Sequence, residues 1–451
     1  MPADALPTLP LWKIERLVPG GRGLAHLSDG RIGFAGGVVP GDSIRVLQSK
    51  NHRQFVEALA WELTEPAKQR SQPECPHFER CGGCDWMQLS RSAELEAKRG
   101  LLTDALTRVG KLTTLPEIQL IAQSDTETLG YRNRQRFHVS EAGTIGLFAE
   151  NSHTLVEVAE CPVSHREVVR GLRFLREALT NHPEVGKWLS EAEVRYSPLA
   201  PSLAVRLVLR RSGFKPELTR GFVRLLEKEF ALVTLGKYRA AEAQRWPLSA
   251  ELEVLVPPAA FVQVNPSINQ KLVAAIVAGA QARGAQRFLD LYAGAGNFAI
   301  PLCASGLSGV ALEHSAPAIA AAVRQAAELK LDTRLAFIPG DVALSLEAMN
   351  RKPKPKCDGG GTTPAFDLVV LDPPREGAKA ILPTLVNLAC EHIAYLACDP
   401  VALARDLKTL TASGYQLTDL AIFDMFPRTH HFESLAWLAR VPSPRLSEAR
   451  S

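Results

Sequence analysis

The sequence predicts an α/β chain whose C-terminal part is a doubly wound sheet, preceded by a small β-barrel and an α+β middle segment. Three observations carry this. The run Arg287-Phe288-Leu289 leads into Asp290-Leu-Tyr-Ala-Gly-Ala-Gly-Asn-Phe298, an apolar strand ending in an acid and followed by a glycine loop and a helix-compatible stretch. From Arg287 onward, strand-like and helix-like runs alternate. Glu313, Asp341, Asp372 and Cys398 all stand at or just past the ends of such strands, the edge at which α/β sheets hold ligands.

At 451 residues the chain has room for two or three domains, and composition shifts divide it into 1–66, 67–255 and 256–445. A formal net charge of +4 is too small to prove nucleic-acid binding but permits a basic face on a near-neutral body. Met1-Pro2-Ala3-Asp4 lacks the features of a secretion signal, and no apolar run reaches membrane-spanning length. A cytoplasmic protein with no membrane partner is expected. In a reducing compartment the eight cysteines point to metal or catalysis rather than disulfides.

The barrel rests on five short strand-like runs, Trp12–Val18, Gly23–Leu27, Arg31–Phe34, Ser43–Leu47 and Phe55–Trp61, parted by turns at Gly20-Gly21, Asp29-Gly30 and Pro40-Gly41. So many strands in so short a stretch suit a small closed barrel of the oligonucleotide-binding (OB) type, able to hold a nucleic-acid backbone. A β-subdomain with only a packing role is the alternative.

Next come Cys75, Cys81 and Cys84, with Cys161 far downstream before Pro162. Three clustered thiols and a remote one followed by proline look like four ligands closing on one cofactor, and Gly82-Gly83 lets the backbone curl around it. An iron–sulfur cluster is the first reading and Cys₄ zinc the competing one, since zinc sites favour paired short spacings. His77 is not expected to be a ligand.

Ser90 is placed to cap a helix running to Val109, with Leu95, Leu102, Leu106 and Val109 as a core-facing stripe and Gly110 as its stop. Alternation in Tyr131–Val139 predicts a strand with Arg132, Arg134 and Arg136 on one face. That face suits phosphate oxygens, or is merely a solvated strand face. Short helices and strands continue to Pro247, an α+β pattern.

After Pro257-Pro258 the segment Phe261-Val-Gln-Val-Asn-Pro266 leads into a helix over Ile268–Ala280. Strands are expected at Phe288–Asp290, Gly309–Glu313, Leu335–Ile338, Asp367–Leu371, Ile393–Ala397, Leu417–Phe423 and Phe432–Leu438. Arg351–Thr363, rich in Lys, Pro and Gly, reads as an inserted mobile loop in which Cys357 is incidental.

The glycine loop has two readings. Gly294-Ala-Gly-Asn-Phe-Ala299 also satisfies the loose dinucleotide pattern, with Glu313 as a ribose-binding acid. In either case Glu313 and Asp341 are placed to accept hydrogen bonds from ribose hydroxyls and an adenine amino group, and Asp372 belongs to the same edge. Cys398 precedes a helix beginning near Pro400, where the helix dipole and free N–H groups favour a thiolate. The alternative for a single cysteine is a small buried hydrophobe, which is the reading for Cys390. Glu433 is a late acid available as a base.

On these residues the chain resembles the bacterial RNA uracil-5-methyltransferases that carry an iron–sulfur cluster, in particular the RlmD (RumA) type acting on 23S ribosomal RNA. The likeness covers nearly the whole chain. It implies a class I (Rossmann-like) methyltransferase domain, a TRAM-type OB barrel and a 4Fe-4S cluster held by Cys75, Cys81, Cys84 and Cys161. It implies S-adenosylmethionine as cofactor, contacted by Gln263, Tyr292, Asn297, Glu313, Asp341 and Asp372. It also implies that Cys398 is the nucleophile and Glu433, in Phe426-Pro-Arg-Thr-His-His-Phe-Glu433, the base. The partner implied is 23S rRNA with its target uridine flipped out of the stack, bound by a monomer.

The sequence departs from the family pattern at Ala397, Asp399 and Arg428, where Ser, Asn and His are common. Asp399 puts a carboxylate beside the nucleophile, with a raised thiol pKa or altered base recognition as the expected consequence. The chemistry agrees with the likeness, because uracil C5 becomes nucleophilic only after a thiolate adds to C6, and a base must then remove the C5 proton. The competing functions are an NAD(P)-dependent iron–sulfur oxidoreductase, a non-catalytic RNA-binding protein, and a methyltransferase acting on tRNA.

Overall fold

The structure is a computed structural model that describes residues 9–199, 202–210, 216–235, 243–351 and 365–441. Met1–Asp4 and residues 352–363 of the expected mobile insert, Cys357 included, lie outside the described residues. The chain forms two compact units: Met1–Thr103 with Gly146–Pro162 and Phe426–His431, and Asp104–Ile145 with Val163–Met425 and Phe432–Ser451.

In the first unit, β1 (Leu11–Lys13), β2 (Arg16–Leu17), β3 (Gly23–His26), β4 (Ile32–Ala35), β5 (Ser43–Asn51) and β6 (Phe55–Glu65) form a sheet ordered β1-β5-β6-β4-β3-β2. The expected first strand is split in two. Ile14 N–H reaches Asp42 O while Glu15 N–H reaches Leu24 O, so the chain leaves β5 for β3 at that point and brings the two sheet edges together. Alternate residues point inward, and Trp12, Ile14, Ala25, Ile44, Val46 and Val56 fill the interior. Asp42, fully buried, accepts from Val39 N–H at 2.7 Å, Ala67 N–H at 2.9 Å and Arg70 at 2.6 Å, tying down the chain that leaves the barrel.

α1 (Arg91–Asp104) runs into a single π-helical turn over Ala105–Val109 before Gly110. Its buried face is not the expected leucine stripe. Leu102 and Leu106 are buried, but Val109 is 39% exposed, and Glu94 and Lys98 are fully buried. Lys98 Nζ lies 2.8 Å from Glu94, and Arg91 lies 3.0 Å from it. The charges are tolerated because they also satisfy backbone groups: Lys98 donates to Phe426 O at 3.1 Å and Arg428 N–H donates to Glu94 at 2.9 Å. An ionic clamp on Phe426–Arg428 has taken the place of apolar packing.

In the second unit, β7 (Ile118–Ile121) is followed by β8 (Arg134–Val139). The hairpin of β9 (Ile145–Phe148) and β10 (Leu155–Glu157) falls in the first unit but for Ile145. Then come α2 (Arg166–Asn181), α3 (Pro183–Gly186), β11 (Leu189–Tyr196), β12 (Leu203–Leu209), α4 (Pro216–Leu226) and β13 (Leu232–Leu235). β11 pairs antiparallel with both β8 and β12, and β13 runs parallel to β12. α2 covers this sheet with Val168, Leu172, Leu175 and Leu179, their spacing tracing one helical face. A short ribbon of β14 (Gln244–Pro247) and β15 (Glu253–Val256) leads to the large sheet.

That sheet takes β16 (Arg287–Leu291), β17 (Ser308–Glu313), β18 (Leu335–Pro339), β19 (Leu368–Leu371), β20 (His392–Ala397), β21 (Tyr415–Phe423) and β22 (Glu433–Arg440) in the order β18-β17-β16-β19-β20-β22-β21-β7. α5 (Pro266–Ala282), α6 (Ala299–Ala304), α7 (Ala316–Glu328), α8 (Val342–Asn350), α9 (Leu382–Leu388) and α10 (Pro400–Ala412) connect or precede its strands. β16 to β20 are mutually parallel; the central pair β16 and β19 is almost wholly buried, as strands covered on both faces must be, while the edge strand β18 is largely exposed. Chain order reverses between β16 and β19, so a ligand crevice opens there at the carboxyl edge. β22 inserts antiparallel between β20 and β21, and β7 adds the far edge strand parallel to β21. Among the described residues no helix is long and apolar enough to cross a membrane.

Candidate active site

The glycine loop is bent by its own backbone. Tyr292, Gly294 and Gly296 all take positive φ, 65°, 57° and 93°, a region that costs a tyrosine free energy and a glycine almost none. The bend is held from β17: Glu313 accepts Gly294 N–H at 2.9 Å and Ser315 N–H at 2.7 Å. On its other flank Asn297 and Asn269 exchange amide hydrogen bonds at 2.9 and 3.1 Å. The first turn of α5 therefore lies against the loop. Asn265 caps that helix by accepting Ile268 N–H, and the preceding Gln263 is buried with it, 6% exposed.

Around the switch point the acids crowd one another. Asp290 is fully buried. Burial first, and then the neighbouring Asp372 and Glu313, hold its carboxyl well above the usual carboxylate range. Burial likewise pushes Asp372 to about 7. Asp341 caps α8 through Leu344 N–H at 3.0 Å. Burial, Asp341 and Glu376 together raise the Tyr292 phenol, placing those three side chains in one another's field. The residues expected to hold a nucleoside thus share the carboxyl edge of the sheet.

Cys398 follows β20, and Glu433 begins β22. Because Ala397 stands opposite Ser434 in that antiparallel pair, the next residue along and the one before come level, and Cys398 feels Glu433 directly. The thiol is raised to about 12, by burial first, then by Glu433, with a further contribution from Asp372; the Arg375 guanidinium lowers it, by its charge and by a hydrogen bond to the sulfur. Burial and Asp372 hold Glu433 well above its ordinary range, again against Arg375.

This corrects the sequence-based expectation that the helix start favours the thiolate. The Asp399 side chain accepts the first free N–H groups of α10, from Val401 at 2.9 Å and Ala402 at 2.8 Å, so they are not presented to the sulfur. Its carboxylate serves as a helix cap, and the acids that raise the thiol are Glu433 and Asp372. Arg375, exposed at the sheet edge, escaped the sequence reading. The signal was present in Asp372-Pro-Pro-Arg375, where two prolines stiffen the chain between an acid at a strand end and a cation.

The arginine face at β8 forms as the alternation predicts, but it is not a bare cationic stripe. Arg134 lies 2.8 Å from Glu193, and Arg136 lies 3.6 Å from Glu191 and 3.8 Å from Glu193 on the paired strand β11. Arg132 donates to Arg134 O at 3.2 Å. Only Arg136 keeps a half-exposed side chain among the ion-paired two.

In the first unit, Cys75, Cys81 and Cys84 are half-buried and Cys161 is buried. Burial, and then Cys161, raise the Cys75 thiol; the same causes and Cys75 raise Cys81. Cys75, Cys81 and Cys161 therefore lie in one another's field. His77 N–H points at Cys75 Sγ and Gly83 N–H at Cys81 Sγ, each at 3.4 Å, the arrangement that stabilises thiolates bound to a cluster. A side chain at Gly82 would come within 2.8 Å of the Glu150 backbone, so the loop closes only on glycine. Among the described residues no three His, Cys, Asp or Glu side chains gather as tightly as a single metal ion requires. The departure at Arg428 is a residue with φ of 69° whose side chain lies 3.7 Å from Glu74.

Three comparisons bear on this geometry. The family model described as tRNA (uracil-5-)-methyltransferase matches residues 253–441. The 23S rRNA (uracil(1939)-C(5))-methyltransferase RlmD of Chromohalobacter salexigens is 32% identical over 445 residues, spanning 95% of this chain and 88% of its own. The RlmD of Pectobacterium atrosepticum is 30% identical over 430 residues, spanning 94% and 92%. Among solved structures, the Pyrococcus abyssi tRNA (uracil-54, C5)-methyltransferase in complex with S-adenosyl-L-homocysteine superposes with a TM-score of 0.70 at 24% identity, covering 95% of this chain and all of the other, a likeness of fold. These relationships set aside the dinucleotide-dependent oxidoreductase and the non-catalytic RNA-binding protein. The chain belongs to the RNA (uracil-5-)-methyltransferase family.

Proposed function

We infer that this protein transfers a methyl group from S-adenosylmethionine to C5 of a uridine in 23S ribosomal RNA. The observation that carries the reading is the facing of Cys398 and Glu433 across adjacent strands, with Arg375 acting on both, at the sheet edge that bears the glycine loop. The names of the relatives favour 23S rRNA over tRNA.

S-Adenosylmethionine supplies an electrophilic methyl on a sulfonium. Gln263, Tyr292, Asn297, Glu313, Asp341 and Asp372 are the residues that would hold it, the two acids at the ends of β17 and β19 beside the bent loop. Cys398 loses its proton and its sulfur bonds to C6 of the uracil, shifting the C5–C6 electron pair to make an enolate. Arg375 offsets the negative charge while it sits on the sulfur. The C5 electron pair then forms a bond to the methyl carbon as the sulfonium S–CH3 bond breaks, leaving S-adenosylhomocysteine. Glu433 removes the remaining C5 proton, the C5–C6 double bond re-forms, and the thiolate leaves. A uridine stacked in folded RNA is out of reach of this site, so it is flipped out, and the monomer holds neighbouring nucleotides with its barrel.

The segments 1–66, 67–255 and 256–445 then serve as RNA-holding, cluster-bearing and methyl-transferring parts of a cytoplasmic enzyme. Cys75, Cys81, Cys84 and Cys161 are read as ligands of a 4Fe-4S cluster rather than zinc because three clustered thiols and a remote one before proline depart from the paired short spacings of zinc sites, and two of the sulfurs receive N–H groups. The cluster orders this unit and supplies no step of the methyl transfer. Anaerobically prepared protein is expected to contain iron and acid-labile sulfide; zinc alone would contradict the assignment.

The substrate is tested by mapping 5-methyluridine in RNA from a strain lacking this protein. One 23S site should lose its methyl group and regain it on complementation, with tRNA unchanged. Loss confined to tRNA would overturn the reading.

A further inference from the structure

Behind the active site lies a buried polar group that the reaction scheme leaves unused. Tyr395, in the strand that leads to Cys398, and Asp406, in the helix that begins after it, are both fully buried. The Tyr395 hydroxyl donates to Asp406 Oδ2 at 2.6 Å. The Ala378 N–H donates to the same oxygen at 2.7 Å and to the Tyr395 hydroxyl oxygen at 3.1 Å. Arg405 donates to Asp406 Oδ1 at 2.9 Å and to Glu376 O at 2.6 Å. Between these anchors Gly377 has φ of 79°, and a Cβ there would come within 2.5 Å of Asp406 Oδ2.

Residues 376–378 are thus gripped by the two elements that flank the nucleophile, and the residue immediately before them is Arg375. The clamp is unnecessary for packing. A Phe and a Leu would fill the same space without the desolvation penalty of a buried carboxylate. What the polar version adds is a fixed path for the loop, because each hydrogen bond is directional. Burial, and then Asp406, hold the Tyr395 hydroxyl far above its ordinary range, so it stays a donor. The charged groups facing the Cys398 sulfur are Glu433 from β22 and Asp372 and Arg375 from the loop after β19, and Arg375 is the one that adjoins the clamped turn.

We propose that Tyr395 and Asp406 are positioning residues that set the Arg375 guanidinium against the Cys398 sulfur through the turn 376–378, and so govern how readily the nucleophile ionises. The proposal rests on the assignment of Cys398 as nucleophile.

The test is the pH dependence of iodoacetamide alkylation at Cys398, read by peptide mass spectrometry on the full chain, for wild type, Tyr395→Phe, Asp406→Asn and Arg375→Gln. S-Adenosylmethionine affinity and thermal unfolding are measured alongside. Tyr395→Phe and Asp406→Asn should move the alkylation midpoint upward, toward that of Arg375→Gln. They should lower kcat by about 10- to 100-fold while leaving KM for S-adenosylmethionine near the wild-type value. Should either variant fail to fold, Arg405→Gln, which removes the outer half of the clamp, should shift the midpoint in the same direction. Profiles superimposed on wild type while Arg375→Gln moves would overturn the proposal and leave the nucleophile assignment intact. Full turnover by Cys398→Ala would instead overturn that assignment.

Discussion

The Arg375 guanidinium donates a hydrogen bond to the Cys398 sulfur and also lies in the field of Glu433. One cation therefore faces the two groups that the proposed mechanism requires to carry negative charge in turn, the thiolate during addition and the carboxylate during proton removal. Burial opposes both ionisations, and the two groups oppose each other, so a single shared counter-charge can serve them in turn.

Removing that charge should raise the thiol further. Arg375→Gln is expected to move the Cys398 alkylation profile to higher pH than that of wild type, and to slow methyl transfer by about 10²- to 10³-fold. Peptide-resolved alkylation and single-turnover kinetics check the two parts. An unchanged alkylation profile would show that Arg375 does not act on the sulfur.

Asp372 links the same site to stability. Its folded-state pKa of about 7 lies above the ordinary 3.8, so the unfolded chain gives up its proton first as pH rises. The stability this group contributes is complete below the unfolded pKa and is lost across the interval from 3.8 to about 7. Asp372→Asn should therefore raise Tm at pH 8 by a few degrees, have little effect at pH 4, and weaken S-adenosylmethionine binding. Calorimetry at the two pH values measures it, and an equal shift at both would contradict the ionisation argument.

The ionic clamp of α1 carries a different expectation. Glu94→Leu leaves Lys98 and Arg91 buried without their counter-charge and Arg428 N–H without its acceptor. It should cost about 3–5 kcal/mol, as much as truncating a core leucine such as Leu102→Ala at about 2–5 kcal/mol; a cost under about 1 kcal/mol would contradict the clamp. Denaturant unfolding measures the two variants.

Much of the large sheet was legible because its parallel strands are mostly apolar and end at or just before Glu313, Asp372 and Cys398. β7 was not, since Ile118–Ile121 is a short run whose partner, β21, lies far along the chain. The charged face of α1 escaped for the same reason: Glu94 and Lys98 look like solvated residues until Phe426 and Arg428 are placed against them. Alternation foretold the face shared by Arg134 and Arg136, but not that Glu191 and Glu193 of β11 would meet it. At Cys398 the local sequence shows only a helix start. The sign of its pKa shift is set by burial and by Glu433, which arrives from a strand running the other way.

The account turns on a covalent bond between Cys398 and the pyrimidine, and 5-fluorouridine RNA tests it most directly, because fluorine at C5 cannot be removed as a proton. Incubated with S-adenosylmethionine, wild type should form a denaturant-stable adduct mapped by mass spectrometry to Cys398, and Cys398→Ala should form none. With ordinary RNA, Glu433→Gln should accumulate the corresponding methylated adduct and release it about 10²- to 10⁴-fold more slowly than wild type. Methylation without any adduct, or an adduct on another residue, would contradict the mechanism.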